Sequence, residues 1–393
     1  QAQLVDETGI HCHGIEPVVH ERLGARRWPG NVRELRNTIE RSMLKARGRR
    51  ISVEDLPGDL QGEAPIAPDQ APAAGGPLRP LSEVEKEHID IRINKKESPF
   101  KIVGGKIIFH GEGWESRWWG CMEFEAETRI IPQQSGDSPL GGGWHEYTAE
   151  ELQPGLVRLH RDFKRKPKVG NILIMRHSAR DHAGIFIYRC KDTVFENVNL
   201  YTAAGLGFLG QFSENITLRN ANVMPNYAKG RYLCGHADGF QVSNCRGHIL
   251  VDGCKFEGLM DDPINVHGTS VKIVEIKAPD TFVCKFMHGM STGMTWGTPG
   301  DRVGFIENQS MATLGEGKVA ACRRIDRDQF EVRFAAPAPD GIEVGDALEN
   351  LTWAPDFTVR NSWFGSCRAR GLLVSTPGKV VIENNDFVSS GAA

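Results

Sequence analysis

Two different patterns of apolar and polar positions run along this chain. In "PGNVRELRNTIERSMLKARG", residues 29–48, Val32, Leu35, Ile39 and Met43 recur at spacings of three and four. That period places them on one face of an α-helix. Pro29 and Gly30 stand where such a helix starts, Asn31 is placed to cap it, and Gly48 ends it. Residues 1–60 therefore read as a small helical segment. "GEAPIAPDQAPAAGGPLRP" (62–80) is rich in Pro, Ala and Gly, and residues 61–90 read as a flexible linker. From about residue 95 the pattern changes to short β-rich runs punctuated by Gly and Asn.

Those runs repeat. "CKDTVFENVNL" (190–200) aligns with "SENITLRNANV" (213–223) at an offset of 23, which pairs Asn197 with Asn220. "APDFTVRNSWF" (354–364) and "GKVVIENNDF" (378–387) repeat the pattern and pair Asn361 with Asn384. An Asn recurring at one turn beside alternating Val, Ile and Leu predicts a parallel β-helix, in which like side chains stack about 4.8 Å apart. A helical solenoid would need apolar spacings of three and four, which these segments lack. The strands after each turn ("HAGIFI", "AGLGFLG", "HADGFQV", "MDDPINV", "ARGLLV") align so that Ile185, Phe208, Gln241 and Ile264 form one column. The step from the second strand to the third is 33 residues, so about ten extra residues in "MPNYAKGRYLCGHA" are expected to form a loop over one strand edge. A second column holds His182, Gly205, Asp238 and Asp261, the last two 23 residues apart.

This alignment gathers three carboxylates, Asp238, Asp261 and Asp262, at the end of one strand column. Like charges on adjacent coils, partly shielded by a loop, push at least one pKa up. The result is a proton donor beside an ionised base, which glycoside hydrolysis requires. Pro263 biases Asp262 towards an extended backbone, so the paired aspartates point differently. Arg180, His182, Arg231, His236, Asn265 and His267 lie near in the alignment and suit hydrogen bonding to sugar hydroxyls. Trp114, Trp118 and Trp119 are candidates for a stacking platform or for core. Ca²⁺ held by the carboxylates is a second functional reading. Zinc is not expected, because the His and Cys spacings fit no tetrahedral set, and "HCHG" (11–14) reads as an exposed loop. No cofactor is expected.

Composition narrows the classes. A net charge of −3 with 25% charged residues gives no reason to expect general nucleic-acid binding. No apolar run approaches the roughly 18 residues of a membrane span. Nine scattered cysteines argue against a disulfide scaffold. The first residues lack both an initiator Met and a signal pattern, and read as a fragment end.

Two stretches resemble known families. "WPGNVRELRNTIERSMLKARGRRISVEDLP" (28–57) resembles the lid subdomain of sigma-54-dependent activators, which are AAA+ ATPases; the resemblance implies a nucleotide-sensing role for Arg33. The chain has no G-x-x-x-x-G-K-[ST] loop to cradle phosphates. "LSEVEKEHI" (81–89) resembles the start of that family's DNA-binding segment, but no helix-turn-helix follows, so contact with DNA or RNA polymerase is not expected. "RDHAGIFI", "AGLGFLGQFSENITL", "GRYLCGHADGFQVSNCRG" and "GLMDDPINVHGTSVKI" resemble the α-1,3-galactosidases of glycoside hydrolase family 110, from about residue 97 to the C-terminus. That resemblance implies a mainly β chain built on a right-handed parallel β-helix, which removes terminal α-1,3-linked galactose with inversion and without metal. It puts the acidic residues at Asp238, Asp261 and Asp262. By analogy with other inverting β-helix hydrolases, Asp261 is the expected general acid and the other two hold and deprotonate water.

The expected organisation is a barrel-like β module at 91–178, coils carrying the site at 179–269, a barrel-like insertion at 270–353 and further coils at 354–393. Three alternatives remain open at this point: a polygalacturonase-like hydrolase, a carbohydrate-binding regulatory fusion, and an artificial join near residues 85–97. A periplasmic or extracellular place suits the hydrolase part and a cytoplasmic one the activator-like part. No membrane contact is expected, and the expected partner is a galactose-terminated oligosaccharide or glycoconjugate.

Overall fold

In a computed structural model, the described residues are 15–25, 38–39, 42, 45–46, 50–57 and 60–61, then 88–390 except 119, 134, 136–137, 144–145 and 179. The chain divides into two units, Gln1–Leu78 and Arg79–Ala393. In the first, a helix spans Pro17–Ala25 and residues 38–39, 42 and 45–46 are helical. Val19, Leu23, Ala46, Ile51, Leu56 and Leu60 form its core, with Ile39 packed against them. Arg33 and the other expected helix positions (Asn31, Val32, Leu35, Met43, Gly48) lie outside the described residues, as do residues 62–87 and "HCHG".

The second unit is almost wholly β. It opens with His88–Arg92, paired antiparallel with Leu156–His160. Residues 88–90 therefore belong to a strand and not to the linker expected over 61–90. The alternation of Ile89, Ile91 and Ile93 against one core explains why. Three small antiparallel sheets follow between residues 88 and 176 and share a core containing Phe100, Phe109, Trp118, Val157 and Leu159.

Two parallel sheets come next, and the chain alternates between them. One is five-stranded, in the spatial order Leu372–Ser375, Ile264–His267, Phe240–Ser243, Phe208–Gln211, Ile185–Tyr188. The other is eight-stranded and includes Lys191–Leu200, Glu214–Val223, Arg246–Asp252 and Asp356–Arg360. Their inner faces meet in one core, with Phe208, Phe240, Phe256, Phe357 and Phe364 fully buried. Between His267 and Asp356 the chain makes a closed, antiparallel six-stranded barrel from Val271 to Asn350. Its interior is aromatic, with Phe282, Phe305, Phe330, Phe334 and Trp296.

The register corrects the column read from the sequence. Phe208 is level with Ile185 and Phe240, and Phe240 with Ile264, so Gln241 stands one place further on, beside Asn265. The step from Phe208 to Phe240 is 32 residues against 23 before it, so the inserted loop holds nine extra residues. The tenth lies elsewhere: Glu214 pairs with Arg246 but Ile216 with Ile249, a bulge that puts one more residue into Arg246–Asp252. That bulge lengthens the next step to 24, from Phe240 to Ile264. Asp238 is consequently level with Asp262, not Asp261. The backbone agrees, because Gly207 N donates to Asp238 O and Gly239 N to Asp262 O, each at 2.9 Å.

The Asn column is one continuous ladder. Asn197, Asn220, Gly253, Asn361 and Asn384 all have positive φ, between 47° and 63°. Asn and Gly tolerate this left-handed conformation best. The Asn220 amide also donates to Asn197 Oδ1 at 2.8 Å, and that of Asn361 to Asp252 Oδ1 at 2.9 Å. Asn220→Gly should therefore lower stability only slightly, whereas Asn220→Val should cost about 1–2 kcal/mol or more. Urea unfolding checks this; a midpoint for the Val variant at or above that of the Gly variant would overturn it.

Candidate active site

Asp238 lies two residues before one strand of the five-stranded sheet, and Asp261 and Asp262 lie just before its neighbour. The coils approach closely here because Gly239 has no side chain. A Cβ at that position would fall 2.6 Å from Phe256 Cδ1 and 2.7 Å from the Pro263 carbonyl. The three aspartates are buried, with 3%, 8% and 1% relative exposure. One oxygen from each lies within 4.8 Å of the others. Met260, which precedes them, packs against Met122, Phe124 and Ile131, so the N-terminal β module helps to fix the cluster.

Two guanidiniums face these three carboxylates. Arg180 bonds Asp261 Oδ2 through Nη2. Arg370 grips Asp262 with two side-chain bonds, Nε to Oδ1 at 3.1 Å and Nη2 to Oδ2 at 2.8 Å, and adds its backbone N–H at 2.9 Å. The Arg370 contact is a forked, charge-assisted pair, and the Arg180 contact is a single one. Among the described residues Asp238 has no cationic hydrogen-bond partner of this kind; it accepts a bond from Asn265 Nδ2 at 3.2 Å. Burial first, and the Asp261 charge second, push its pKa up to about 7, against the opposing pull of Arg180. The cluster therefore holds one protonatable acid beside two ion-paired carboxylates. In the other direction, Asp262 raises the pKa of Arg370 through the same hydrogen bonds.

The all-oxygen trio is close enough to hold a hard cation. A cation there would compete with Arg180 and Arg370 for Asp261 and Asp262.

The remaining expected residues divide. Asn265 joins the cluster, and its Oδ1 is buried without a hydrogen-bond partner. His236 lies alongside, two residues before Asp238, with Nδ1 2.8 Å from Ser178 Oγ. His267 is one step further along its strand. Its Nδ1 donates to the Gly268 carbonyl at 2.7 Å, which leaves Nε2 to accept from Gln241 at 3.0 Å. His182 and Arg231 are exposed. The His182 carbonyl lies behind Gly205, and the Arg231 carbonyl accepts from Arg129 at 2.7 Å. Trp118 is core, 1% exposed, while Trp114 is 44% exposed and stacks on His177 at 5.0 Å. Trp119 lies outside the described residues.

The sequence reading missed Arg370, Ser178 and Gln241 as site residues. Arg370 had a legible signal. Ile264 is level with Leu372, so Asp262 is level with Arg370, which lies within the repeat "ARGLLV". The one-residue slip in the alignment hid that column.

Comparison with known proteins agrees with this division of the chain. Residues 81–173 match the family described as GLAA-B beta-barrel domain I and residues 281–348 match GLAA-B beta-barrel domain II. Residues 2–73 match the AAA+ ATPase lid domain. The change of family thus falls between residues 73 and 81, before the expected join at 85–97, and "LSEVEKEHI" lies inside the first barrel-domain match. Alpha-1,3-galactosidase B of Bacteroides thetaiotaomicron is 45% identical over 317 residues, 80% of this chain and 51% of the relative. Alpha-1,3-galactosidase A of Bacteroides fragilis is 37% identical over 297 residues, 75% of this chain and 48% of the relative. Alpha-1,3-galactosidase B of Akkermansia muciniphila is 33% identical over 306 residues, 77% of this chain and 38% of the relative. The chain spans about half the length of the first two and less of the third. Its C-terminal 300 or so residues resemble the α-1,3-galactosidases, and its first 60 or so resemble an AAA+ lid.

Proposed function

We propose that this chain is a glycosidase that removes terminal α-1,3-linked galactose from an oligosaccharide or glycoconjugate. The observation that carries the reading is the buried trio of carboxylates facing two guanidiniums, in a chain similar to proteins named α-1,3-galactosidases. We further propose that the two parallel sheets are the walls of a right-handed β-helix. Its coils run over 179–269 and 354–393, interrupted by the barrel at 270–353 and preceded by the β module at 91–178.

Asp238 is the proposed general acid, a different assignment from the one expected by analogy. Its raised pKa keeps a proton available near neutral pH, and Asp261 and Asp262 are each paired with an arginine. Asp238 protonates the glycosidic oxygen as the bond to the galactose C1 breaks. Asp261 or Asp262 takes a proton from water, whose oxygen bonds to C1 from the opposite face, so β-galactose is released. The unpartnered Oδ1 of Asn265 is available to accept from a sugar hydroxyl.

A second reading has its own support. The trio's nearest oxygens lie within 4.8 Å, tighter than the roughly 6.5–9.5 Å between carboxyl groups that leaves room for water in inverting enzymes. A retaining reaction would use one carboxylate as nucleophile and release α-galactose. Proton NMR of the anomeric signals during hydrolysis of Gal-α-1,3-Gal separates the two. Early β-galactose, absent with Asp238→Asn, is expected; early α-galactose would replace inversion by retention, and no release from folded protein would sink the enzyme reading.

Asp238 also generates a pH prediction. Its folded pKa, about 7, lies above the ordinary 3.8, so the folded chain binds this proton more tightly. The stabilisation is present at low pH and is lost as pH rises through about 7. Asp238→Asn should thus unfold at a higher temperature than wild type at pH 8, with the difference shrinking towards pH 4. Wild-type kcat/KM should fall above about pH 7 as the acid loses its proton. A flat profile from pH 6 to 9 would remove Asp238 from the acid role.

Arg370→Ala should leave the buried Asp262 carboxylate without its fork and cost roughly 1–3 kcal/mol in stability. It should also lower kcat far more than it changes KM. Arg370→Lys should recover part of the stability but less of kcat, because a lysine cannot form the fork. Equal kcat in Ala, Lys and wild-type proteins would exclude a positioning role.

A further inference from the structure

Exposed aromatic side chains on a sheet edge call for an explanation, because they invite unwanted association. Phe186 and Tyr188 are 55% and 44% exposed. Both lie on Ile185–Tyr188, the edge strand of the same five-stranded sheet that carries the acids. Ile187 between them is buried, so alternation turns the two rings to the outer face.

The register connects them to the acid cluster. Phe186, Leu209, Gln241 and Asn265 are Cα partners from strand to strand and form one outward row. A neighbouring row runs from Tyr188 to His267. The first row thus passes through Asn265, the residue that bonds Asp238, three strand spacings from Phe186, or about 14 Å, before it reaches Leu373. A short oligosaccharide spans such a distance.

The aromatic end is held in place. The Arg189 guanidinium lies 5.2 Å from the Tyr188 ring, the Phe186 ring is tilted beside it at 5.4 Å, and Phe212 meets it edge-on at 6.4 Å. Between the rings and the acids the row passes from apolar Leu209 to two amides, with Gln241 donating to His267 and Asn265 keeping an acceptor oxygen without a partner. A sugar ring has an apolar C–H face and a rim of hydroxyls. A strip of rings followed by amides matches both.

We propose that Phe186 and Tyr188 form a distal subsite for the sugars behind the terminal galactose, so that the preferred ligand is a galactose-capped oligosaccharide lying along this outer face. The inference rests on the galactosidase reading and extends it from a terminal sugar to a longer acceptor.

The test uses binding to the full chain carrying Asp238→Asn, followed by isothermal titration. The ligands are Gal-α-1,3-Gal and a tetrasaccharide capped by the same unit. The tetrasaccharide should bind about tenfold more tightly or better, and Phe186→Ala with Tyr188→Ala should abolish that advantage. Affinity for the disaccharide should stay within about twofold in the same variant. The pair Phe186→Tyr and Tyr188→Phe keeps both rings and should keep the advantage, which separates loss of the subsite from a damaged fold. Disaccharide binding with no tetrasaccharide advantage, or an advantage that survives the alanine pair, would overturn the subsite alone. Binding of neither sugar would overturn the galactosidase reading and the subsite with it.

Discussion

Three buried carboxylates opposed by two guanidiniums is the constraint around which this part of the chain is arranged. Unpaired, the trio would repel itself and resist burial, and the group with no arginine of its own is the one whose pKa climbs. The partners come from separate parts of the chain. Arg180 precedes the first coil strand, Asp238 and the Asp261–Asp262 pair belong to successive coils, and Arg370 arrives 108 residues after Asp262, beyond the barrel. No local segment contains the site. It comes together only where these strands pair in register.

Magnitudes explain how the fold tolerates the cluster. Raising Asp238 from 3.8 to about 7 corresponds to roughly 4 kcal/mol of unfavourable ionisation at high pH, since each pKa unit is about 1.4 kcal/mol. Full burial of one large apolar side chain contributes about 1.5–3 kcal/mol. Phe208, Phe240, Phe256, Phe357 and Phe364 are all fully buried between the sheets. Two of them offset the strain at Asp238, and the rest keep the coils in the register that the arginines need. The barrel can be inserted between Asp262 and Arg370 because the coil pairing resumes on its far side, with Ile264 level with Leu372 and Leu250 with Thr358.

Much of this was legible in the sequence, for a physical reason. Asn tolerates left-handed backbone and its amide bonds to its copy one coil away, so the repeated Asn marked the coil period directly. The three aspartates and Asn265 were found through that period. What failed was register. A single bulge in Arg246–Asp252 shifts later pairing by one residue, and bulges carry no strong composition signal beyond a glycine such as Gly247. The slip placed Asp238 beside Asp261 and hid Arg370. His182 and Arg231 are exposed, whereas the three aspartates are buried.

The arrangement also distinguishes the three aspartates from one another, although they lie only a few ångströms apart. An aspartate acquires its role from the charge it faces. Arg370 approaches Asp262 with two side-chain donors and its own N–H, three hydrogen bonds in all. Asp238 is offered one neutral amide, and its burial together with the neighbouring Asp261 charge favours the proton. Exchanging the identities of the residues would change nothing, whereas moving one arginine would exchange their roles. Specification of the chemistry therefore lies in Arg180 and Arg370 as much as in the acids.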